Sequence, residues 1–138
     1  MVCVTRQKTC ERLIKAGYDL ASKSDAELHI VHVAKSGTNF LDNPSEGEAL
    51  DYLFQISKKF NAEMSVLRSD QVANTIVKFV KDNDISTLIL GETPHLDNKN
   101  NIIMQLKKQL PHVDIMVIPA YTNSNSKKNL KFNVLPTF

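Results

Sequence analysis

Five short apolar runs punctuate this chain, each closing on polar or charged residues and each parted from the next by a stretch with helical periodicity. The runs are Met1 to Thr5 (MVCVT), Glu27 to Ala34 (ELHIVHVA), Ala62 to Arg68 (AEMSVLR), Ser86 to Glu92 (STLILGE) and His112 to Ala120 (HVDIMVIPA). Runs of this length suit strands buried on both sides better than helices. Strands alternating with helices predict a mostly parallel sheet, because each parallel connection must cross over a face and cover it. Right-handed crossovers then make 3-2-1-4-5 the natural order for five strands. The predicted fold is a three-layer α/β sandwich over residues 1–120, followed by a polar tail, 121–138.

The segments between the runs carry the helical pattern. Leu13, Ile14, Gly17, Leu20 and Ala21 share one face of a first helix predicted from about Thr9 to Ser22, with Thr9 as its cap. Ser45 and Glu48 form a capping box for a second helix, whose apolar face is Leu50, Leu53, Phe54, Ile56 and Phe60. Ser69 or Asp70 caps a third, striped by Val72, Ala73, Ile76, Phe79 and Val80. A polar loop, Thr93 to Asn101, precedes a short fourth helix containing Ile102, Ile103, Leu106 and Leu110. The tail reads as a disordered end, or as an arm that orders against a partner.

At 138 residues and a formal charge of +2, the chain has room for one core and no excess charge to argue for DNA or a membrane surface. No run approaches the roughly 20 apolar residues that span a bilayer. No signal-type segment opens the chain, so a cytoplasmic location is expected. Cys3 and Cys10 match no metal or redox spacing and read as small buried thiols. The four histidines are scattered, and His29 and His32, three apart on one strand, belong on opposite faces. None has the partners of a metal ligand or a nucleophile's base, and a structural role is expected of each.

In the predicted order the winding reverses between strands one and four, and ligands of open α/β sheets sit at such a switch point. The loops Arg6 to Lys8 and Glu92 to Asn101 flank it. Arg6 and Lys8 follow the first strand, Lys35 the second and Arg68 the third, so one edge of the sheet gathers positive charge. Thr5 and Gln7 add neutral hydrogen-bonding groups, while Gly91 allows close backbone approach or marks a tight turn. No lysine-bearing phosphate loop and no G-x-G-x-x-G follow strand one, where Thr5-Arg6-Gln7-Lys8-Thr9 stands instead. No catalytic residue and no metal site is therefore assigned.

MVCVTRQKTCERLIKAG followed by ELHIVHVAK, with LILGE and LPHVDIMVIPA further on, resembles the universal stress protein family from Met1 to about Ala120. More narrowly, CVTRQKTCERLIKAG is similar to the stress-protein-like module of Kdp-type potassium sensor kinases. The chain lacks their membrane and kinase portions and so reads as a free-standing relative or an excised module. The resemblance implies a flavodoxin-like or Rossmann-like sheet of the adenine nucleotide alpha hydrolase-like group, no catalytic constellation, and pairing through the last strand. One branch of the family binds ATP with an aspartate ending strand one and a G-x-x-G-x9-G-[S/T] stretch after strand four. Here Thr5 takes the aspartate position, Gly91 the first glycine, Pro94 the second, and Met104 and Gln105 the last pair. Val4 and Val33 match that branch's adenine-side wall. The expected ligand set is Val4, Thr5, Arg6, Gln7, Lys8, Val33, Lys35, Arg68, Gly91 and Glu92. Its occupant is an adenine nucleotide, or a cyclic dinucleotide as the sensor-kinase resemblance implies, or another anion.

Strand five is an edge in this order, yet Ile115 to Ile118 form an apolar run without interior charge, which invites a homodimer through residues 113–119. The function expected is a non-catalytic regulatory or signalling domain with a protein partner. The alternatives are an interaction module with an empty crevice and, from a different class, a nucleotide-dependent enzyme.

Overall fold

In a computed structural model of the chain, the described residues are 1–92 and 102–119. The tail and the position Pro94 lie outside them. The elements are β1 (Val2–Cys3), α1 (Gln7–Ser24), β2 (His29–Ala34), a short 3-10 turn (Phe40–Asp42), α2 (Glu46–Lys59), β3 (Glu63–Arg68), α3 (Val72–Asp82), β4 (Thr87–Gly91), α4 (Ile102–Gln109) and β5 (Asp114–Ile118). The five strands form one sheet of order β3-β2-β1-β4-β5, with every neighbouring pair parallel. The predicted architecture and order are those observed.

Alternating side chains divide the core into two layers, one on each face of the sheet. Val2, Val4, Ile30 and Ile89 pack with Cys10, Leu13 and Ile14 of α1 and Leu53 and Ile56 of α2. Cys3, Val31, Leu88 and Leu90 pack with Ala73, Ile76, Val77 and Val80 of α3 and Leu106 of α4. His29 falls in the α3 layer, edge-on to Phe79, and His32 in the α2 layer, edge-on to Phe40, so the two are on opposite faces as expected. α1 lies so close to the sheet that a Cβ at Gly17 would stand 2.3 Å from Val2 Cγ2.

Helix starts and the buried face of α2 differ from the sequence reading. α1 begins at Gln7, so Gln7 and Lys8 form its first turn rather than a loop. Its cap residue is Arg6, not Thr9, whose hydroxyl instead donates to the Arg6 carbonyl at 3.4 Å. Ser45 does occupy the cap position of α2 but makes no side-chain capping bond, so no capping box closes. At α3 the cap position is Gln71; Ser69 Oγ accepts its amide at 3.0 Å, and Asp70 instead accepts the Ser36 amide at 2.9 Å. The buried face of α2 is Ala49, Leu53, Ile56 and Ser57, one step round from the predicted stripe, and Phe54 is exposed beneath Lys58.

Candidate binding site at the carboxyl edge

Three hollows open side by side at the carboxyl edge, and Arg6 lines all of them. The first, about 460 Å³, lies at the switch point between β1 and β4 and is lined by Val4, Thr5, Arg6, Lys8, Val33, Gly91 and Glu92, with Arg12 of α1. The second, about 710 Å³, runs from Thr5, Arg6, Val33 and Lys35 past Asn39 and Asp42 to Asp70 and Asn74. The third, about 570 Å³, brings Arg6, Gln7 and Lys8 against Leu41, Asn43 and Tyr52.

The ends of the parallel strands explain the convergence. Val4 still belongs to the sheet through its amide, which donates to Val31 O at 2.9 Å. Arg6 then holds an extended φ of −131° as the chain turns into α1. That helix starts with no side-chain cap and no acidic residue in its first turn, where Lys8 stands. A cation there lies at the positive end of the helix dipole. Among the described residues, Arg6, Lys8 and Lys35 form no ion pair. The one acidic side chain on the switch-point hollow among the described residues is Glu92.

Nine of the ten expected ligand residues line these hollows, and Arg68 does not. Its guanidinium is spent within the fold. Nη1 donates to Lys35 O at 3.1 Å and Thr38 O at 2.8 Å, Nη2 pairs with Glu46 at 3.0 Å, and the plane stacks 4.2 Å from the Phe40 ring centre. Arg68 therefore ties down the segment after β2. Gln7 is partly engaged too, accepting from Asn43 Nδ2 at 2.9 Å. Gly91 marks no tight turn. It is a ladder residue paired with Ile118, and a Cβ there would meet Leu13 Cδ1 at 3.3 Å, so its smallness admits α1.

The sequence reading missed Thr38, Asn39, Asp42, Asp70 and Asn74, which complete the wall of the second hollow. They come from the β2–α2 and β3–α3 connections, and the only signal for them was that polar loops follow strands on the same edge. His32 was read as structural, and its geometry shows how. Nδ1 lies 2.8 Å from Val4 O and Nε2 accepts the Leu41 amide at 3.0 Å, both buried. Burial first, and then the Arg68 charge, hold its pKa below the ordinary histidine value, against the upward pull of the Val4 carbonyl. Cys3 and Cys10 are free, buried thiols, each pushed up by burial to about 12 and so poor nucleophiles. No cluster of three or more metal-binding side chains occurs among the described residues. No helix among them is long and apolar enough to cross a membrane.

The family model that describes the universal stress protein family matches residues 1–100. The chain belongs to the universal stress protein family. Among solved structures, a universal stress protein family member from Burkholderia pseudomallei superposes with a TM-score of 0.59 at 15% identity, covering 86% of this chain and 96% of its own. At that identity the likeness speaks for the fold. No curated protein matches the chain significantly. In this universal stress protein, Thr5 lines the switch-point hollow with Arg6 and Gly91.

Proposed function

We propose that this universal stress protein domain is a cytoplasmic, non-catalytic regulatory module that binds a nucleotide or a related anion at the carboxyl edge. The observation that carries the reading is Arg6 at the junction of three hollows, with Lys8 beside it at an uncapped helix start. Exposed helix N–H groups and two cations suit a phosphate. Thr5 adds a neutral hydroxyl beside them. The proposal takes the ligand as an adenine nucleotide or a cyclic dinucleotide, held in a mode that differs from the aspartate-and-glycine arrangement of the family's ATP-binding branch. The likeness to Kdp-type sensor-kinase modules supports a signalling role through a protein partner.

A thermal-shift series with ATP, AMP and cyclic di-AMP tests the reading, since a ligand that binds only the folded chain raises its melting point. At 100 times its Kd such a ligand adds about 2.7 kcal/mol. Arg6→Ala and Lys8→Ala should each weaken binding more than His112→Ala, because His112 lies outside all three hollows. Equal loss at all three positions would reject the site. No shift with any nucleotide would favour the second reading, an interaction module with an empty crevice. The half-exposed edge strand β5 speaks for that reading. ATP turnover by the purified chain would overturn both in favour of an enzyme.

A further inference from the structure

Both ring nitrogens of His32 are committed, each to a different wall of the carboxyl-edge hollows. Nδ1 faces the Val4 carbonyl at 2.8 Å, at the end of β1, and Nε2 faces the Leu41 amide at 3.0 Å, in the turn between β2 and α2. A carbonyl only accepts and an amide N–H only donates, so the proton is on Nδ1, Nε2 is a bare lone pair and the ring is neutral. The turn it holds is unusual. Leu41 and Asp42 have φ of 54° and 58°, in the left-handed region that non-glycine residues rarely occupy. The Leu41 side chain is 1% exposed, locked into the α1–α2 layer. A second proton, on Nε2, would point at the Leu41 N–H, donor against donor.

Charged groups of both signs surround His32. Arg68 of β3 stacks on the Phe40 ring that meets His32 edge-on at a centroid separation of 6.0 Å, and its partner is Glu46 of α2. Arg6 after β1, Lys35 after β2, Asp42 in the turn and Asp70 after β3 share the second hollow with His32. Cys10 of α1 lies in the same core layer as Leu41.

We propose that His32 is an acid-sensitive latch: neutral, it pins the Phe40–Asp42 turn to the end of β1, and doubly protonated, it releases the turn. Asn39 and Asp42 wall the second hollow, and Leu41 and Asp42 the third, so both change shape when the turn is freed. The consequence for ligand occupancy rests on the proposed binding function; the latch itself does not.

Amide hydrogen exchange by NMR on the full chain tests the latch, with pH lowered stepwise from about 7.5 until the His32 ring has titrated. After correction for intrinsic rates, protection of the Leu41 amide should fall about tenfold or more, while Leu13 and Ile14 of α1 keep theirs. The midpoint of that fall should coincide with the titration of the His32 ring. His32→Gln should remove the step and His112→Gln leave it intact. If His32→Gln fails to fold, the shared midpoint in the wild-type chain decides alone. Unchanged Leu41 protection while the ring titrates would overturn the latch, as would loss of protection throughout the core in parallel. Thermal shift by ATP, AMP and cyclic di-AMP, measured before and after the His32 ring titrates, separates the two proposals. A shift present near neutrality and lost in acid supports the latch as a regulator. No shift at either pH, with the exchange step retained, supports the latch and removes the nucleotide reading.

Discussion

Gly17 and Gly47 both lie in helices, and a methyl group added to each meets opposite surroundings. At Gly47 it would find no atom within 4 Å beyond its chain neighbours and its own helix backbone, whereas at Gly17 it would stand 2.3 Å from a methyl of Val2, itself 0% exposed. Alanine is favoured over glycine in a helix interior by about 1 kcal/mol, and overpacking a close-packed core costs about 1 to 3 kcal/mol. Gly47→Ala, near the start of α2, should therefore raise the urea midpoint slightly, and Gly17→Ala should lower it. A rise for both would mean that α1 can lift from the sheet at no cost. Stability also depends on pH. His32 is held below its ordinary value of 6.5, so the unfolded chain takes up a proton before the native one does, and stability falls as pH drops below about that value. Cys3 and Cys10 are raised from 9.0 to about 12, so the unfolded chain loses protons first and stability falls again above about pH 9. Urea midpoints across this range should be highest between the two limits. His32→Phe should flatten the acid limb, if the variant folds, without moving the alkaline one.

Strand order and the faces of α1 and α3 were legible because they depend on spacing alone, and spacing survives without knowledge of the partner. Helix starts were not. Ser45 and Thr9 are the residue types that cap, yet neither side chain caps, because connections between elements are decided by what the whole edge needs to tie down. Asp70 serves the Ser36 amide and Glu46 serves Arg68 and the Phe40 amide, contacts 34, 22 and 6 residues apart that no local pattern announces. The edge strand carries a prediction of its own. Asp114 N bonds Ser86 O and Ile118 O accepts Glu92 N, so by parallel alternation Asp114, Met116 and Ile118 turn their backbone groups toward β4. Those of Ile115 and Val117 point away from the sheet. If two copies pair through β5, as the apolar run of the edge strand led us to expect, Val117→Pro should abolish the dimer in sedimentation while leaving circular dichroism unchanged. A native chain that sediments as a monomer at every concentration would reject the pairing outright.

The fold could be read almost whole from the sequence, and the candidate site in part, for one physical reason. Burial imprints a period on the residues, whereas a hollow is an absence that several loops enclose together. Thr5, Arg6, Lys8 and Gly91 were placed together because strand ends of a parallel sheet must share an edge; Arg68 was expected with them, although its guanidinium is consumed by Lys35, Thr38 and Glu46. At low salt, binding of any polyanion to Arg6 and Lys8 should be strongest, and it should weaken measurably as ionic strength rises past about 0.1 M, where screening reaches about 10 Å. Affinity that ignores salt would point to an apolar guest instead. The sheet itself is uneven in its stitching. β2 and β3 share six paired positions and β4 and β5 five, but β1 joins them through Val2 and Cys3 on one side and Val2 on the other. The centre of the molecule is thus its narrowest seam, and a guest lodged over the ends of β1 and β4 would act as a clasp across it, tightening two half-sheets that otherwise meet over barely a turn of chain.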